Sequence, residues 1–314
     1  MLQHILLYIV SFIGIWIGAG LAISSVEKLS HRLRLSSFIV SFLVLGFFTS
    51  ISEFSVGINA VLDNDPEIFV GNLIGASIVL FMLVIPLLAI TGKQIRITKE
   101  LQGINLVLPL VVVAVPVLLS LDGAVNRIDA MISLGLYGVS AFIIEQKRGF
   151  TSNPKLIKQV AKLSVGIEFM KILAGIAVIF ASSHLVVSET LYFSGVLGFS
   201  PFLISLLLVA IGTNLPELSF IVRSLFMKSN QVAFGDYLGS AAFNTFLYGF
   251  LTIFYGRTIL LTNSYVVSLT FLIVGLMLFY IFARSKHTIS RSEAAGLFAI
   301  YVLFLFTEYY LHKG

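Results

Sequence analysis

The sequence predicts an all-α polytopic membrane protein with ten transmembrane helices, arranged as two inverted five-helix repeats. Three observations predict this fold: the apolar composition, the number and length of the apolar runs, and a similarity between the two halves. Of the 314 residues, 58% are hydrophobic and 11% are charged, whereas soluble proteins carry about 45–50% and about 25%. This composition excludes a soluble enzyme, a disordered chain and a nucleic-acid-binding protein.

The apolar runs are long enough for helices that cross a bilayer, which need about 20 residues each. They do not alternate with a period of two, so a membrane β-barrel is not expected. In a membrane-spanning α-helix, the backbone hydrogen bonds are satisfied within the helix itself. We assign ten spans, at about residues 4–26, 36–62, 67–91, 103–121, 128–145, 163–187, 200–227, 231–255, 264–284 and 292–311.

The distribution of Lys and Arg predicts the orientation. Of the 20 such residues, only Arg127, Arg257 and Lys313 fall in one set of alternate connections. Lys171 and Arg223 fall inside spans, and all the others lie in the opposite set. Because cytoplasmic loops carry an excess of positive charge, we expect both termini outside, with the plasma (cell inner) membrane as the location. The chain has no Cys, so no thiolate metal site is expected, and no resident cofactor.

Two halves of five helices each are predicted on either side of a polar connection at residues 146–162. The first repeat is assigned to 1–145, the cytoplasmic linker to 146–162, and the second repeat to 163–314. An offset of 164 residues aligns 30–80 with 194–244 without a gap and gives 11 identical residues over 51 positions. Because five spans is an odd number, the second half is expected to cross the membrane in the opposite orientation.

Two glutamates, Glu53 and Glu217, are equivalent under this offset, and each lies well inside an apolar span. An acidic side chain near the bilayer centre costs about 2.5–3.5 kcal/mol on insertion scales. Two such residues related by the repeat indicate one shared site at the midplane, where the halves meet.

Oxygen-bearing residues surround both glutamates in the sequence. Thr49 and Thr213 precede them by one helical turn and therefore share their faces. Pro216 has no N–H, so the carbonyl of Gly212 loses its helical partner and must find a donor, water or a cation. Hard cations such as Ca²⁺ prefer about six to eight oxygen ligands.

The next span contributes Ser240 and Asn244, which are spaced to share one helix face. The sequence therefore predicts a cation site made of Glu53, Glu217, Thr49, Ser50, Thr213, Asn214, Ser240 and Asn244. Other charges inside spans are interpreted as structural or gating groups: Glu168 and Lys171 as an ion pair, with Arg223 and Asp236.

The segments around these residues are similar to the signatures of one transporter superfamily. Gly212-Thr-Asn-Leu-Pro-Glu217 and Gly235-Asp-Tyr-Leu-Gly239-Ser240 carry the resemblance, and the first half holds weaker copies at 48–53 and 71–77. The chain thus resembles the calcium/cation antiporter superfamily, which includes sodium/calcium exchangers. The resemblance implies that Glu53 and Glu217 bind the ion and that the Thr/Ser or Thr/Asn pair before each contributes hydroxyls and carbonyls.

The first half departs from the superfamily pattern. Ala76 and Leu80 stand where the resemblance implies a Ser and an amide or acid, and Ser52 and Phe48 replace the signature proline and glycine. Without that proline, we expect the first half not to release a backbone carbonyl. Asn244 is an amide where many sodium/calcium exchangers have an acid. The site is therefore expected to be asymmetric, and sodium/calcium stoichiometry does not carry over.

Taken with the resemblance, these features predict a non-enzymatic secondary active antiporter that exchanges a small cation, Ca²⁺, for Na⁺ or H⁺. Glu53 and Glu217 would clamp the ion at the midplane while the first and sixth helices slide and switch access. The expected partners are inorganic cations and lipid, with no nucleic acid and no protein partner indicated. Three alternatives stay open: another mono- or divalent cation, a channel, or a non-transporting membrane sensor or assembly protein with a degraded first-half site.

Overall fold

The computed structural model describes residues 1–32, 46–92, 94–97, 103–146, 165–218, 230–261, 265–285 and 287–311. Helices make up most of this part. They are α1 (Leu2–Arg32), α2 (Gly46–Thr49), α3 (Ile51–Leu62), α4 (Glu67–Thr91), α5 (Ile104–Leu119), α6 (Arg127–Gln146), α7 (Val165–Leu197), α8 (Pro201–Thr213), α9 (Asn230–Tyr255), α10 (Val266–Ser285) and α11 (Arg291–Leu311).

Every predicted span contains at least one described helix. Helix α4 has the bounds of the predicted third span, whereas α2 and α3 share the second span and α8 covers only part of the seventh. The remaining parts of those two spans, 36–45 and 219–227, lie outside the described residues. Within the described chain, six helices have the length and apolarity to cross a membrane. The chain is an integral membrane protein, and the count of ten spans stays a prediction.

The central helices of the bundle are α4 and α9. Of the most apolar 18-residue stretch of each helix, 83% of the residues are buried in α4 and 78% in α9, but only 33% in α1, α7 and α10. A helix that is apolar all round and buried lies in a protein core rather than against lipid. The other long helices expose apolar side chains outward, as a lipid-facing surface requires.

Helices α1 and α7 pack against each other along most of their length. They cross closely at Gly18 and Gly175: a Cβ added to Gly18 would lie 2.8 Å from the carbonyl oxygen of Gly175. Small residues allow such close backbone approach between membrane helices. This crossing joins the helices that were predicted as the first and sixth spans.

The predicted end of the sixth span at residue 187 is wrong, because α7 continues to Leu197. Its polar continuation contacts the start of α1. His4 Nδ1 lies 2.9 Å from Glu189 Oε2, the His4 ring stacks on Tyr192, and the hydroxyls of Tyr8 and Thr190 lie 3.0 Å apart. These contacts stabilise helical residues that apolarity alone does not predict.

The described part of the chain contains four short strands between its helices, and the all-α prediction did not include them. β1 (Gln94–Arg96) pairs antiparallel with β4 (Thr288–Ser290), and β2 (Ala124–Val125) pairs antiparallel with β3 (Ile259–Leu260). Each pair joins a connection of the first half to a connection of the second half. Strands of two or three residues are too short to leave a pattern in the sequence.

The 164-residue offset that aligns the glutamates also maps the register of one strand pair onto the register of the other. Ile95 is opposite Ile289. Adding 164 to the first number and subtracting it from the second gives Ile259 and Val125, which are opposite each other in the other pair. This relation is what an inverted repeat requires, and it supports that prediction.

Candidate cation site

The two predicted glutamates lie in the centre of the protein, next to each other. Glu53 is 1% exposed and Glu217 is fully buried. Glu53 occupies the first turn of α3, and Glu217 follows the end of α8. Their carboxyl groups are close enough for their charges to interact. The structure thus brings together two acidic groups that are 164 positions apart.

Both glutamates follow an interruption of their helix. Helix α2 ends at Thr49, and Ser50 has φ −76° and ψ 8°; helix α8 ends at Thr213, and Asn214 has φ −87° and ψ 9°. The two breaks are equivalent under the offset. In the first half the break occurs without the signature proline, whose position Ser52 occupies; whether a backbone carbonyl is released there stays a prediction. At this break, the Ser50 hydroxyl contacts the hydroxyl of Ser240.

The carbonyl of Gly212 has no helical donor at this break. Pro216 cannot bond to it, as predicted, and the backbone N–H of Asn214 points to it instead. The amide nitrogen of the Asn214 side chain donates to the carbonyl of Ala210 at 2.7 Å. The Asn214 side chain thus satisfies the carbonyl of Ala210, whereas the carbonyl of Gly212 keeps only this i→i−2 approach and remains a candidate ligand beside the side-chain oxygens.

A chain of hydrogen-bonding groups crosses from one half to the other at the site. The hydroxyl oxygens of Ser50 and Ser240 lie 2.9 Å apart. Ser240 Oγ also donates to Glu217 Oε1 at 3.3 Å. Ser240 belongs to α9, which packs beside α2 and α3. Two residues predicted from separate motifs are thus in direct contact with each other, and one of them is in contact with a glutamate.

The threonines stand beside the glutamates of the opposite half. Thr213 lies next to Glu53, and Thr49 lies next to Glu217. The sequence predicted that each threonine stacks on the glutamate of its own helix, since the spacing is one turn. Because each helix breaks between its threonine and its glutamate, the two side chains no longer follow one regular face, and they meet across the repeat.

On the predicted site residues, five buried carboxyl and amide oxygens have no hydrogen-bond partner among the described residues. They are Glu53 Oε1, Glu53 Oε2, Glu217 Oε2, Asn214 Oδ1 and Asn244 Oδ1. A buried polar group without a partner costs several kcal/mol in an apolar medium. All five are acceptors of the kind that hard cations prefer. No cluster of three or more His, Cys, Asp or Glu exists in the described part, so a cation here would rely on amides and hydroxyls beside two carboxylates.

Asn244 is buried, one turn after Ser240 on α9, as predicted. Neither its Oδ1 nor its Nδ2 has a hydrogen-bond partner in the described chain. Among the described residues, no side-chain hydrogen bond joins Asn214 or Asn244 to Ser50, Ser240 or Glu217. The two amides are therefore buried polar groups outside this hydrogen-bonded chain.

The first-half face of the site is apolar at the positions where the sequence departs from the superfamily. Ala76 and Leu80 are both fully buried in α4. Leu80 begins a five-residue π-helical turn, Leu80–Val84, and such turns are frequent at functional sites. The predicted asymmetry in side-chain chemistry is therefore present in the folded protein.

Two residues at the site were not predicted. Asn72 Oδ1 accepts a hydrogen bond from Thr213 Oγ1 at 3.2 Å, and the hydroxyl of Tyr237 donates to the carbonyl of Glu217 at 3.1 Å. Both lie in the Gly-rich segments that carry the resemblance, which was the available signal. Their contacts depend on how α4 and α9 pack and could not be inferred from spacing.

Close packing of α4 on α8 brings Asn72 to the site. A Cβ added to Gly71 would lie 2.5 Å from the carbonyl oxygen of Phe202, and one added to Gly75 would overlap the carbonyl oxygen of Leu206. The Gly-x-x-x-Gly spacing therefore serves helix packing in the first half.

Four other charged residues were predicted to lie inside spans. Glu168 and Lys171 form the predicted i,i+3 ion pair, with 2.9 Å between Nζ and Oε1. The side chains of Arg223 and Asp236 lie outside the described residues.

The profile of the sodium/calcium exchanger protein family matches residues 3–144 and 168–310. This chain belongs to the sodium/calcium exchanger family. The two matched segments each fall within one of the predicted halves.

Curated relatives of this family member are distant in sequence. A putative antiporter, CaxA, from Alkalimonas amylolytica is 26% identical over 226 residues, 69% of this chain and 70% of its own length. The sodium/calcium exchanger MaX1 from Methanosarcina acetivorans is 29% identical over 144 residues, 46% of this chain and 41% of its own length. An uncharacterized membrane protein, MJ0091, from Methanocaldococcus jannaschii is 25% identical over 94% of this chain and 95% of its own length.

Two solved exchangers have the same fold as this family member. A structure of the sodium-calcium exchanger NCX_Mj, soaked with Na⁺ and Sr²⁺, superposes with a TM-score of 0.69 at 22% identity and covers 96% of this chain and 97% of that chain. The H⁺/Ca²⁺ exchanger CAX superposes with a TM-score of 0.79 at 16% identity and covers 99% of this chain and 84% of that chain.

Proposed function

We propose that this family member is a secondary active antiporter that exchanges Ca²⁺ for Na⁺ or H⁺ through the site between Glu53 and Glu217. The observation that carries the proposal is that Glu53, Glu217 and two buried asparagines of the predicted site hold five carboxyl and amide oxygens without a hydrogen-bond partner in the described chain. A divalent cation would bind both carboxylates and so remove the cost of burying them. Related proteins named as exchangers of sodium, protons and calcium support the choice of ions.

Alternating access accounts for exchange at a single site. A cation held by Glu53 and Glu217 must leave before the counter-ion binds the same oxygens, so the two fluxes are coupled. Helices α1 and α7, packed together at Gly18 and Gly175, would move as one unit over the buried α4 and α9. Ten spans in two inverted halves, the plasma membrane and outside termini complete this proposal. The exchanged strand registers support the inverted relation of the halves.

The choice between Na⁺ and H⁺ as counter-ion rests on the oxygens present. Ala76 and Leu80 offer no ligand on the first-half face, so there are fewer groups to hold several Na⁺ ions. A carboxyl group binds a proton without further ligands. The apolar first-half face therefore favours H⁺ over Na⁺ as the counter-ion.

Calcium uptake into liposomes under separately imposed Na⁺ and H⁺ gradients tests the proposal. We expect uptake under one gradient and its loss in Glu53→Gln and in Glu217→Gln. A matched control is Glu293→Gln, whose carboxylate bonds to Ser290 at the start of α11 and lies away from the site; its uptake should match that of the unmodified protein.

The same assay separates the alternatives. Calcium flux that only dissipates a calcium gradient and never runs against one would identify a channel. Uptake of a different cation, lost in both glutamine variants, would change the ion but keep the antiport. Calcium binding without any flux would favour a non-transporting sensor or assembly protein, as the apolar face at Ala76 and Leu80 would then be decisive.

A further inference from the structure

We propose that Asn72 is a positioning residue, which accepts the hydroxyl hydrogen of Thr213 and leaves the oxygen lone pairs of Thr213 to bind the transported cation. This inference rests on the proposed function of the site. It concerns a residue that does not itself reach the ion and acts through its neighbour.

A threonine hydroxyl has one hydrogen and two lone pairs. A cation approaches the lone pairs, so a threonine that binds one must direct its hydrogen to an acceptor elsewhere. Thr213 Oγ1 donates to Asn72 Oδ1 at 3.2 Å. Two other acceptors are near. The carbonyl of Ala210 is longer at 3.4 Å and already accepts from Asn214 Nδ2 at 2.7 Å, and the carboxyl group of Glu53 is the group that would bind the cation itself. Asn72 is therefore the better acceptor for this hydrogen.

The packing of α4 on α8 fixes Asn72 in this position. Gly71 and Gly75 flank it and lie against the backbone carbonyls of Phe202 and Leu206. With the two backbones this close, the short asparagine side chain spans the gap to Thr213. The contact is thus set by helix packing on both sides of Asn72.

The hydrogen bonding of Asn72 is not that of a purely structural asparagine. Its side chain is fully buried, and its Nδ2 has no partner in the described part of the chain. Most buried side-chain polar atoms in proteins have a partner. Here the acceptor atom is the one engaged, which fits a role in orienting the hydroxyl of Thr213.

The corresponding position in the second half is Asp236 by the 164-residue offset. An aspartate oxygen accepts a hydrogen bond as an asparagine oxygen does. Both halves therefore have a side chain with an acceptor oxygen at this position, Asn72 in the first and Asp236 in the second.

The test compares two substitutions of similar size in the liposome uptake assay. Asn72→Leu removes the acceptor, and Asn72→Asp keeps it. We expect Asn72→Leu to raise the KM for the transported cation about tenfold, because the hydrogen bond that orients the Thr213 hydroxyl is lost, with a smaller change in maximal rate. Asn72→Asp should keep KM within about threefold of the unmodified value. Ser77→Ala is the control, because that hydroxyl bonds within its own helix to Leu73.

A background that lacks the threonine hydroxyl isolates the positioning effect. In Thr213→Val, Asn72→Leu should change KM no further, because effects that share one contact are not additive. An equal increase in both backgrounds, or an unchanged KM in the single variant, would overturn the proposal. Cation-dependent melting shifts of purified protein measure binding if Asn72→Leu is inactive. Absence of flux in the unmodified protein would instead overturn the proposed function.

Discussion

The hydroxyl oxygens of Ser50 and Ser240 lie 2.9 Å apart across 190 residues of sequence. Ser50 stands at the helix break of the first half, and Ser240 lies on a central helix of the second half. Through Ser240 the contact extends to Glu217 Oε1. The candidate cation site is therefore held together by hydrogen bonds that join the two halves directly.

Removal of either hydroxyl is expected to weaken cation binding. Ser50→Ala and Ser240→Ala should each raise the KM for uptake about three- to tenfold, since each loses one hydrogen bond worth about 0.5–1.5 kcal/mol. The double variant should show less than the product of the two effects. Uptake kinetics of the single and double variants measure this. Ser133→Ala, which removes a buried hydroxyl bonded within α6, is the control; strictly multiplicative effects would contradict the shared contact.

Restoring a hydroxyl to the first-half face is expected to strengthen binding. Ala76 is fully buried at the position equivalent to Ser240, so Ala76→Ser adds one oxygen where the repeat calls for one. We expect the KM for the cation to fall about threefold, as for a weak added hydrogen-bonding ligand. Ala89→Ser makes the same change elsewhere in α4, at another buried alanine, and should leave KM unchanged. An equal fall in both variants would refute the role of position 76.

The close contact of α4 with α8 predicts a stability effect at Gly75. A Cβ there would overlap the carbonyl oxygen of Leu206 and lie 2.7 Å from the Cβ of Ala210. Gly75→Ala should therefore lower the free energy of unfolding by about 1–3 kcal/mol, the usual cost of overpacking. Gly135→Ala is the matched control, because nothing lies near a Cβ at that position in α6. Melting in detergent distinguishes the two, and equal melting temperatures would contradict the packing argument.

A pH-dependent effect is expected at Asp65, in the turn between α3 and α4. Burial, and then the charge of Asp63, raise the pKa of the Asp65 carboxyl above its ordinary value. The folded state thus holds this proton more tightly than the unfolded state, and the benefit is lost as pH rises through the folded pKa. Asp65→Asn should melt at a higher temperature than the unmodified protein at pH 7. The difference should shrink toward pH 4, and a difference that grows on acidification would show the opposite sign.

Sequence alone is sufficient to find the two carboxyl groups of the site. Burying Glu53 and Glu217 in apolar spans is costly enough to demand a reason, and the offset between them relates the halves. The same reasoning located Ser240 and Asn244 on one face, and both side chains are buried. These predictions depend only on residue spacing and composition, which can be read directly from the sequence.

Contacts between halves are the part that the sequence does not reveal. Spacing placed Thr213 on the glutamate of its own helix, but the break at Asn214 brings it to Glu53 and Asn72 instead. Ser50 breaks its helix without a proline, beside a partner 190 residues away. The extension of α7 to Leu197 likewise depends on Tyr8 and on other residues of α1. Each of these features arises from packing between elements distant in the chain.

The exchanged registers of the two strand pairs bear on how such a chain originated. Each pair takes one strand from each half, and each strand of one pair has its counterpart 164 residues away in the other pair. Two identical five-helix chains, inserted upside down relative to each other, would form both pairs as a homodimer. Gene duplication and fusion of such an ancestor would then need only a linker, with no new backbone pairing. Divergence of the copies afterwards, as at Ala76 and Ser240, would have changed side chains while the pairing was kept.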